Sequence, residues 1–123
     1  MVQDWALVPL GGALGALLRF AVTEQVGSST SPWGTLTVNL VGSLALGALS
    51  AALALSVVSE GQALLFGTGL LGAFTTMSTF SMDTVRLAQE GAYTNAVGYV
   101  VATAAIGPLL AWVGWKVTHA GLS

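Results

Sequence analysis

Charged side chains are absent from long stretches of this 123-residue chain, and this pattern limits the folds open to it. No Asp, Glu, Lys or Arg occurs between Asp4 and Arg19, or in residues 25–59, 61–82 and 91–115. A helix needs about 20 predominantly apolar residues to cross a bilayer. The first stretch reaches that length if Arg19 belongs to the span, either near a helix end or with its cation snorkelling to the interface. The sequence therefore predicts an all-α membrane protein with four transmembrane helices, in a single domain over residues 1–123.

The overall composition excludes several classes of protein. Hydrophobic residues make up 54% of the chain and charged residues 7%, whereas a soluble domain carries roughly 25% charged residues. Cysteine is absent, so no disulfide, thiolate nucleophile or cysteine metal site can form. The sequence has no glycine-rich phosphate loop, metal-ligand cluster or nucleophile paired with a base, and we predict that it is not an enzyme. Without a basic leader or a convincing cleavage site, the first span is predicted to be retained.

Small residues spaced four apart indicate where the predicted helices pack closely. Gly11 and Gly15 form such a pair in the first span, and Ser43 and Gly47 form another in the second. Small side chains at this spacing let a neighbouring helix backbone approach. The predicted spans cover residues 5–23, 34–58, 63–90 and 94–117.

The third span contains the most unusual segment of the chain, residues 72–81 with the sequence GAFTTMSTFS. This segment carries five hydroxyls and two phenylalanine rings. Glycines lower helix propensity, and serine and threonine compete for backbone hydrogen bonds, so we predict a break in the helix between Gly72 and Thr76. Non-helical backbone at membrane depth is tolerated only where it is buried in protein or lines a polar cavity. Freed carbonyls there could hold a cation, and hydroxyl donors could bind an anion.

The orientation of the chain in the membrane is almost undetermined by its charges. Its three basic residues are Arg19, Arg86 and Lys116, and they favour one side by a single charge. The positive-inside rule therefore predicts almost no preference for either orientation. Two interpretations remain open: other factors fix one orientation, or the chain inserts both ways and pairs head to tail.

Asn39 is the clearest isolated polar residue within a span. Its amide could hydrogen-bond a neighbouring helix and stabilise packing, or its NH2 group could face an anion or a water. Its position alone favours the packing role. No acidic residue lies in the middle of any predicted span, which argues against a proton-coupled antiporter because that mechanism needs a titratable group at depth.

Three motifs occur in a recognisable order: residues 11–20 (GGALGALLRF), 34–42 (GTLTVNLVG) and 72–81. Together they cover three of the four predicted spans, and the set resembles the Fluc/CrcB family of fluoride channels. The resemblance implies a channel that lets fluoride leave the cell passively, giving fluoride resistance, with a bacterial inner membrane as the expected location. It also implies an antiparallel dual-topology homodimer with two pores, each lined by both subunits.

The resemblance also implies roles for individual positions. A structural sodium ion at the dimer centre would be held by the backbone carbonyls of Gly72 and Thr75. Arg19 matches the arginine at the end of the family's first span, and Asp83 matches an acidic residue that is usually glutamate. These two are expected in vestibule or structural roles. The fluoride pore is expected to be lined by Asn39, Met77, Ser78, Thr79, Phe80, Tyr99 and Thr103.

The chain departs from the family pattern at three positions. Met77 stands where the family has the first of two pore phenylalanines, Ala73 replaces the second glycine before the break, and Gly107 stands where another hydroxyl is expected. Three explanations of Met77 remain open. It is tolerated in a homodimer, it marks a chain that pairs with a homologous subunit supplying the ring, or it is an engineered substitution.

Two other functions compatible with the size and composition remain as alternatives. A small four-span multidrug-type exporter shares the size and dual topology, but it needs a membrane-embedded glutamate in span one. The nearest candidate, Glu24, follows Arg19 at the end of that span. The other alternative is a non-transporting assembly subunit whose small-residue faces serve only for packing.

Overall fold

The computed structural model describes residues 2–27 and 31–123, and most of them are helical. Within these two ranges, four segments are long and apolar enough to cross a membrane, which confirms the predicted all-α four-span fold. The third span, Glu60–Gln89, consists of several pieces. The helices are α1 (Val2–Val26), α2 (Pro32–Ala54), α3 (Glu60–Ala63), α4 (Gly72–Phe74), α5 (Met77–Gln89) and α6 (Tyr93–Leu122), with a π-helical segment, Leu64–Leu71, between α3 and α4.

The turn between α2 and α3 falls earlier than the sequence suggested. We predicted a second span ending at residue 58, but α2 ends at Ala54. Ser56 adopts a φ of 59°, and the N–H of Val57 donates to the Ala52 carbonyl at 2.9 Å. The chain thus folds back onto the last turn of α2, which the continuous apolar sequence did not indicate. A capping box between Ser59 and Gln62 then begins the third span at Glu60.

The helix of the third span breaks at two consecutive threonines. Thr75 (φ −86°, ψ 160°) and Thr76 (φ −151°, ψ 118°) are extended, between the end of α4 and the start of α5. The predicted break between Gly72 and Thr76 is therefore confirmed. The Thr76 hydroxyl caps α5 by accepting a hydrogen bond from the Thr79 N–H at 3.2 Å. This side-chain cap satisfies one of the amides that a helix start leaves without an intrahelical partner.

Helix α1 packs directly on the backbone of the third span. Gly11 and Gly15 are buried, and a Cβ at either would collide with the carbonyls of Leu65 and Leu70 respectively. On the side of the third span, a Cβ at Gly69 would lie 2.7 Å from the Val8 carbonyl oxygen of α1. The small-residue pairing predicted for span one is confirmed.

Helices α2 and α6 pack in the same close manner. A Cβ at Gly47 would collide with the Ala111 carbonyl, and one at Gly114 would collide with the Leu44 carbonyl. Gly107 lies beside the Ser43 hydroxyl, which is 3.8 Å from the position of an added Cβ. This packing brings the polar residues of α2 and α6 to the same side of the break.

Candidate functional site

An open groove of about 670 Å³ runs along the break. It is lined by α2, the third span and α6, so residues far apart in sequence share one surface. Six of the predicted site residues line it, and three further polar residues that we did not predict do so as well. The predicted ones are Asn39, Gly72, Thr75, Met77, Phe80 and Thr103, and the others are Ser43, Thr68 and Thr76.

The Asn39 side chain is bound to the backbone of the break. Its Oδ1 accepts from the Thr76 N–H at 2.8 Å, and its Nδ2 donates to the Thr76 carbonyl at 3.1 Å. The amide therefore pairs with both backbone polar groups of one residue, much as a neighbouring β-strand would. This is the packing contact that its position favoured. Because an amide nitrogen carries two N–H groups, one donor of Asn39 is left beyond this pair.

The bonds at the break release two backbone carbonyls from the helical pattern. In a continuous helix, the Thr76 N–H would donate to the Gly72 carbonyl and the Thr79 N–H to the Thr75 carbonyl. Here the first donates to Asn39 and the second to the Thr76 hydroxyl. The carbonyls of Gly72 and Thr75, the two predicted sodium ligands, are thereby freed of their helical partners beside the groove.

The Arg19 side chain binds at the same break. Its Nε donates to the Ala73 carbonyl at 3.0 Å, and the residue lies within α1, well before the end of that helix at Val26. The end of α1 therefore lies further from Arg19 than expected, and the alternative, that its cation snorkels to the interface, stays a prediction. A cation at the end of the half-helix α4 is favourable, because the last carbonyls of a helix carry partial negative charge.

The hydroxyls that follow the break form their own cluster. Thr76 Oγ1 lies 3.4 Å from Ser78 Oγ and donates to Thr79 Oγ1 at 3.1 Å. Thr79 faces a smaller cavity of about 240 Å³, which Arg19 and Thr35 also line. The structure thus places Thr79 in a second cavity, and Thr76, which lines both cavities, connects it with the groove.

Asp83 is buried within the chain. Only 2% of its surface is exposed, and its Oδ1 accepts from Arg86 Nη1 at 3.1 Å. Its Oδ2 accepts from the Tyr99 hydroxyl at 3.2 Å. The carboxylate is therefore enclosed within this chain, and its vestibule or structural role stays a prediction. A buried carboxylate is tolerated when it is paired and hydrogen-bonded in this way.

Tyr99 and Phe80 link this buried cluster to the groove. The two rings meet edge to face, with centroids 5.1 Å apart and an interplanar angle of 65°. Tyr99 is 7% exposed, and its carbonyl accepts from the Thr103 hydroxyl at 2.8 Å. The arrangement fixes the Phe80 ring at the edge of the groove.

Met77 is a strongly exposed residue among the predicted pore positions. It is 74% exposed, although it begins α5 directly beside the break and lines the groove. Its thioether is polarizable and offers no hydrogen-bond donor. The position therefore presents an apolar, flexible side chain on the open face of the groove.

The oxygen atoms at the break suit a hard monovalent cation better than a transition metal. In the part of the chain that the structure describes, no group of three or more His, Cys, Asp or Glu could hold a metal ion. The freed carbonyls of Gly72 and Thr75 are neutral oxygen donors, and unwound backbone carbonyls of this kind coordinate sodium in membrane transport proteins. The donor set therefore fits the predicted sodium ion.

Sequence reasoning missed the residue at the centre of this site, Thr76. Its backbone pairs with Asn39, and its hydroxyl caps α5 and contacts two further hydroxyls. The available signal was a threonine three residues before Thr79 at a predicted break, which is the spacing of a side-chain cap. Thr35 gave no such signal, because a threonine in a span ordinarily bonds to its own helix.

Comparison with known proteins identifies the family. A family model described as CrcB-like protein, Camphor Resistance (CrcB), matches residues 6–115. The chain is 41% identical to a Streptomyces avermitilis protein named fluoride-specific ion channel FluC 1, over 91% of this chain and 93% of that protein. It is 38% identical to FluC of Gloeobacter violaceus, over 98% and 99% of the two chains. It is 49% identical to FluC 2 of Haloarcula marismortui, over 86% and 88%. On the length and identity of these matches, the chain belongs to the CrcB family.

Proposed function

We propose that this chain forms a fluoride-selective channel that gives passive fluoride export across the membrane. The observation that carries the proposal is the groove at the broken third span, where polar but uncharged groups gather at membrane depth. None of the described residues that line this groove is Asp, Glu, Lys or Arg. The relatives reported above are named fluoride-specific ion channels, which supports fluoride as the ion.

Neutral donors suit the conduction of a small, strongly hydrated anion. A selective pore must replace the water around the ion without holding the ion too tightly. A full positive charge in a low-dielectric pore would bind an anion strongly and slow its release. The second N–H of Asn39 supplies an uncharged donor, and the Phe80 ring supplies a positively polarised edge. Thr103 lines the groove with its hydroxyl proton donated to the Tyr99 carbonyl.

Tyr99 takes a different part in this proposal. Its hydroxyl proton is donated to Asp83, and its ring contacts Phe80 edge to face. Tyr99 therefore serves the pore by orienting the Phe80 ring. Ser78 and Thr79 act with Thr76 along the path that leads from the groove to the smaller cavity.

The groove is open on one side, and a second copy in the opposite orientation is the proposed partner. The open face exposes Met77 and lies beside the freed carbonyls of Gly72 and Thr75. In an antiparallel dimer, each chain would cover the open face of the other chain's groove. The dimer would therefore contain two pores. The small difference in positive charge between the two sides of the chain supports insertion in both orientations. The proposed location is a bacterial inner membrane.

The carbonyls of Gly72 and Thr75 are the proposed ligands of a structural sodium ion between the two copies. Both are released from the helical pattern by the bonds of Thr76 and Thr79. When bound, sodium would supply a fixed positive charge near both pores. The chain itself holds the carbonyls in place, since Arg19 binds the carbonyl of Ala73 between them in sequence.

Fluoride efflux from liposomes tests the function directly. Liposomes loaded with potassium fluoride and reconstituted with this chain alone should release fluoride rapidly when valinomycin lets potassium follow. A fluoride electrode records the release, and liposomes loaded with chloride serve as the control. Rapid fluoride release without chloride release would establish a homodimeric channel. If a well-folded homodimer releases no fluoride, conduction by the homodimer is contradicted. That result would favour a channel completed by a homologous subunit.

Replacement of Met77 by phenylalanine is expected to preserve or raise the fluoride flux. The substitution adds an aromatic edge to the open face of the groove, where the exposed thioether offers no donor. Fluoride efflux of Met77→Phe would be compared with that of Met82→Phe, which makes the same change at another exposed methionine on α5. A folded Met77→Phe protein without flux would show that position 77 does not take part as an aromatic pore position.

A further inference from the structure

We infer that the Asn39 side chain positions the cation site as well as the groove, because it keeps the third span broken. The inference rests on the proposed function for the identity of the two ions. It goes further by assigning one side chain to both sites. The same amide that presents a donor to the groove prevents the helix from closing over the Gly72 carbonyl.

Two hydrogen bonds carry the first step. The Thr76 N–H and the Thr76 carbonyl are both held by the Asn39 amide, at 2.8 and 3.1 Å. The contact joins residues 37 positions apart in sequence, so α2 is fixed to the break at this point. A backbone N–H at membrane depth is costly to leave unpaired. Asn39 removes this cost for Thr76 in its extended conformation.

The second step concerns the acceptor to which the Thr76 N–H would otherwise return. Residue 72 lies four positions earlier, and its carbonyl is the regular helical partner of that N–H. If the Asn39 amide is lost, the unpaired N–H favours the helical conformation and takes the Gly72 carbonyl. That carbonyl would then no longer be free for a cation. The break and the cation site are therefore alternatives to a continuous helix, and Asn39 selects between them.

Arg19 does not replace Asn39 in this role. It donates to the carbonyl of Ala73, which would pair with the N–H of Met77 in a continuous helix. Arg19 thus binds a carbonyl at the break. Asn39 binds the Thr76 N–H, and release of this N–H would close the helix. The dependence of cation binding on Asn39 follows from this difference.

Sodium-dependent stabilisation of the purified protein tests the inference without any flux measurement. Thermal unfolding would be followed at increasing sodium concentration, with N-methylglucamine keeping the ionic strength constant. The first variant is Asn39→Ala, which leaves the Thr76 N–H without its partner. The second variant combines Asn39→Ala with replacement of Thr76 by its α-hydroxy acid, which converts that N–H to an ester oxygen, so that no donor is left to take the Gly72 carbonyl. The Thr76 ester alone is the reference for the second variant, because the ester also weakens the Thr75 carbonyl as a ligand. The control is Ser43→Ala, which removes a hydroxyl from the same groove and breaks only its bond to the Asn39 carbonyl, at 2.7 Å.

Asn39→Ala is expected to raise the half-saturating sodium concentration at least tenfold, and Ser43→Ala to change it less than twofold. In the combined variant, the value is expected to return to within twofold of that of the ester alone, because the helix can no longer close over the Gly72 carbonyl. A folded Asn39→Ala protein that keeps the original sodium dependence would overturn the inference, as would a combined variant that binds sodium no better than Asn39→Ala or an unmodified protein with no sodium response. Fluoride efflux from the unmodified protein reports separately on the proposed channel. Efflux without a sodium response would contradict the shared role of Asn39 and leave the channel standing.

Discussion

Replacement of Asn39 by aspartate is expected to abolish fluoride efflux. The carboxylate can still accept from the Thr76 N–H, but it loses the donor that reaches the Thr76 carbonyl and the second donor that faces the groove. It also places a negative charge beside the proposed ion path. Two like charges about 4 Å apart at an effective dielectric constant of about 20 repel by about 4 kcal/mol. Since about 1.4 kcal/mol corresponds to a tenfold change in rate, the flux should fall by about a thousandfold.

A fluoride electrode on reconstituted liposomes measures this loss, and size-exclusion chromatography establishes that the variant is folded. Asn95→Asp is a matched control, because it makes the same substitution at an exposed residue in the first turn of α6. That variant should retain the full flux. A folded Asn39→Asp protein with unchanged fluoride efflux would remove Asn39 from the pore.

The four spans and the break could be predicted because both depend on local sequence. Spans are marked by stretches without charge, and the structure follows them to within a few residues, with the largest differences at the ends of α2 and α6. The break combines glycine with consecutive threonines, and both weaken a helix whatever surrounds it. Features of this kind need no knowledge of which helix lies beside which.

The partners of the polar residues could not be predicted, because they depend on the arrangement of the helices. From the sequence, Asn39 is compatible with either a packing role or a pore role. In the structure, its amide binds both backbone groups of Thr76 and retains a second N–H, which is compatible with both roles. Asp83 reads as a charged residue near a span end. Its burial depends on Tyr99, which lies 16 positions later and on another helix.

The π-helical segment also lay beyond the sequence signals. Patterns of apolar residues are interpreted with the period of an α-helix, and Leu64–Leu71 is apolar throughout apart from glycines and one threonine. The wider turns occur where Gly11 and Gly15 of α1 approach the backbone of this segment. We connect the wider turns with the two glycines because both belong to the close contact between α1 and this segment. The same contact brings Arg19, one turn beyond Gly15 on α1, to the break.

The resemblance to known channels supplied a list of pore positions that the structure divides into groups. Asn39, Met77, Phe80 and Thr103 share the groove. Thr79 belongs to the smaller cavity, while Tyr99 is buried behind Phe80. Thr76 lines both cavities and lies between these groups.

Replacement of Gly47 by valine is expected to destabilise the fold more than any other glycine substitution between α2 and α6. Even a Cβ at this position would overlap the Ala111 carbonyl, and backbone cannot move aside as a flexible side-chain end can. Overpacking of a close contact costs about 1–3 kcal/mol, and more where the neighbour is rigid. In a domain of this size, that range corresponds to a decrease in Tm of about 3–18 °C. The helices carrying Asn39 and Thr103 would separate as a consequence.

Thermal unfolding of the detergent-solubilised protein measures the effect, with the yield of monodisperse protein as a second readout. Gly98→Val is the matched control, because an added Cβ at Gly98 meets no atom within 4 Å. The two variants share the same change in side-chain volume and helix propensity, so their difference isolates the contact between α2 and α6. If Gly47→Val unfolds at the temperature of Gly98→Val, the close approach at Ala111 does not hold these helices together. If it unfolds far lower and loses fluoride efflux in parallel, the glycine contact is what aligns the two walls of the groove.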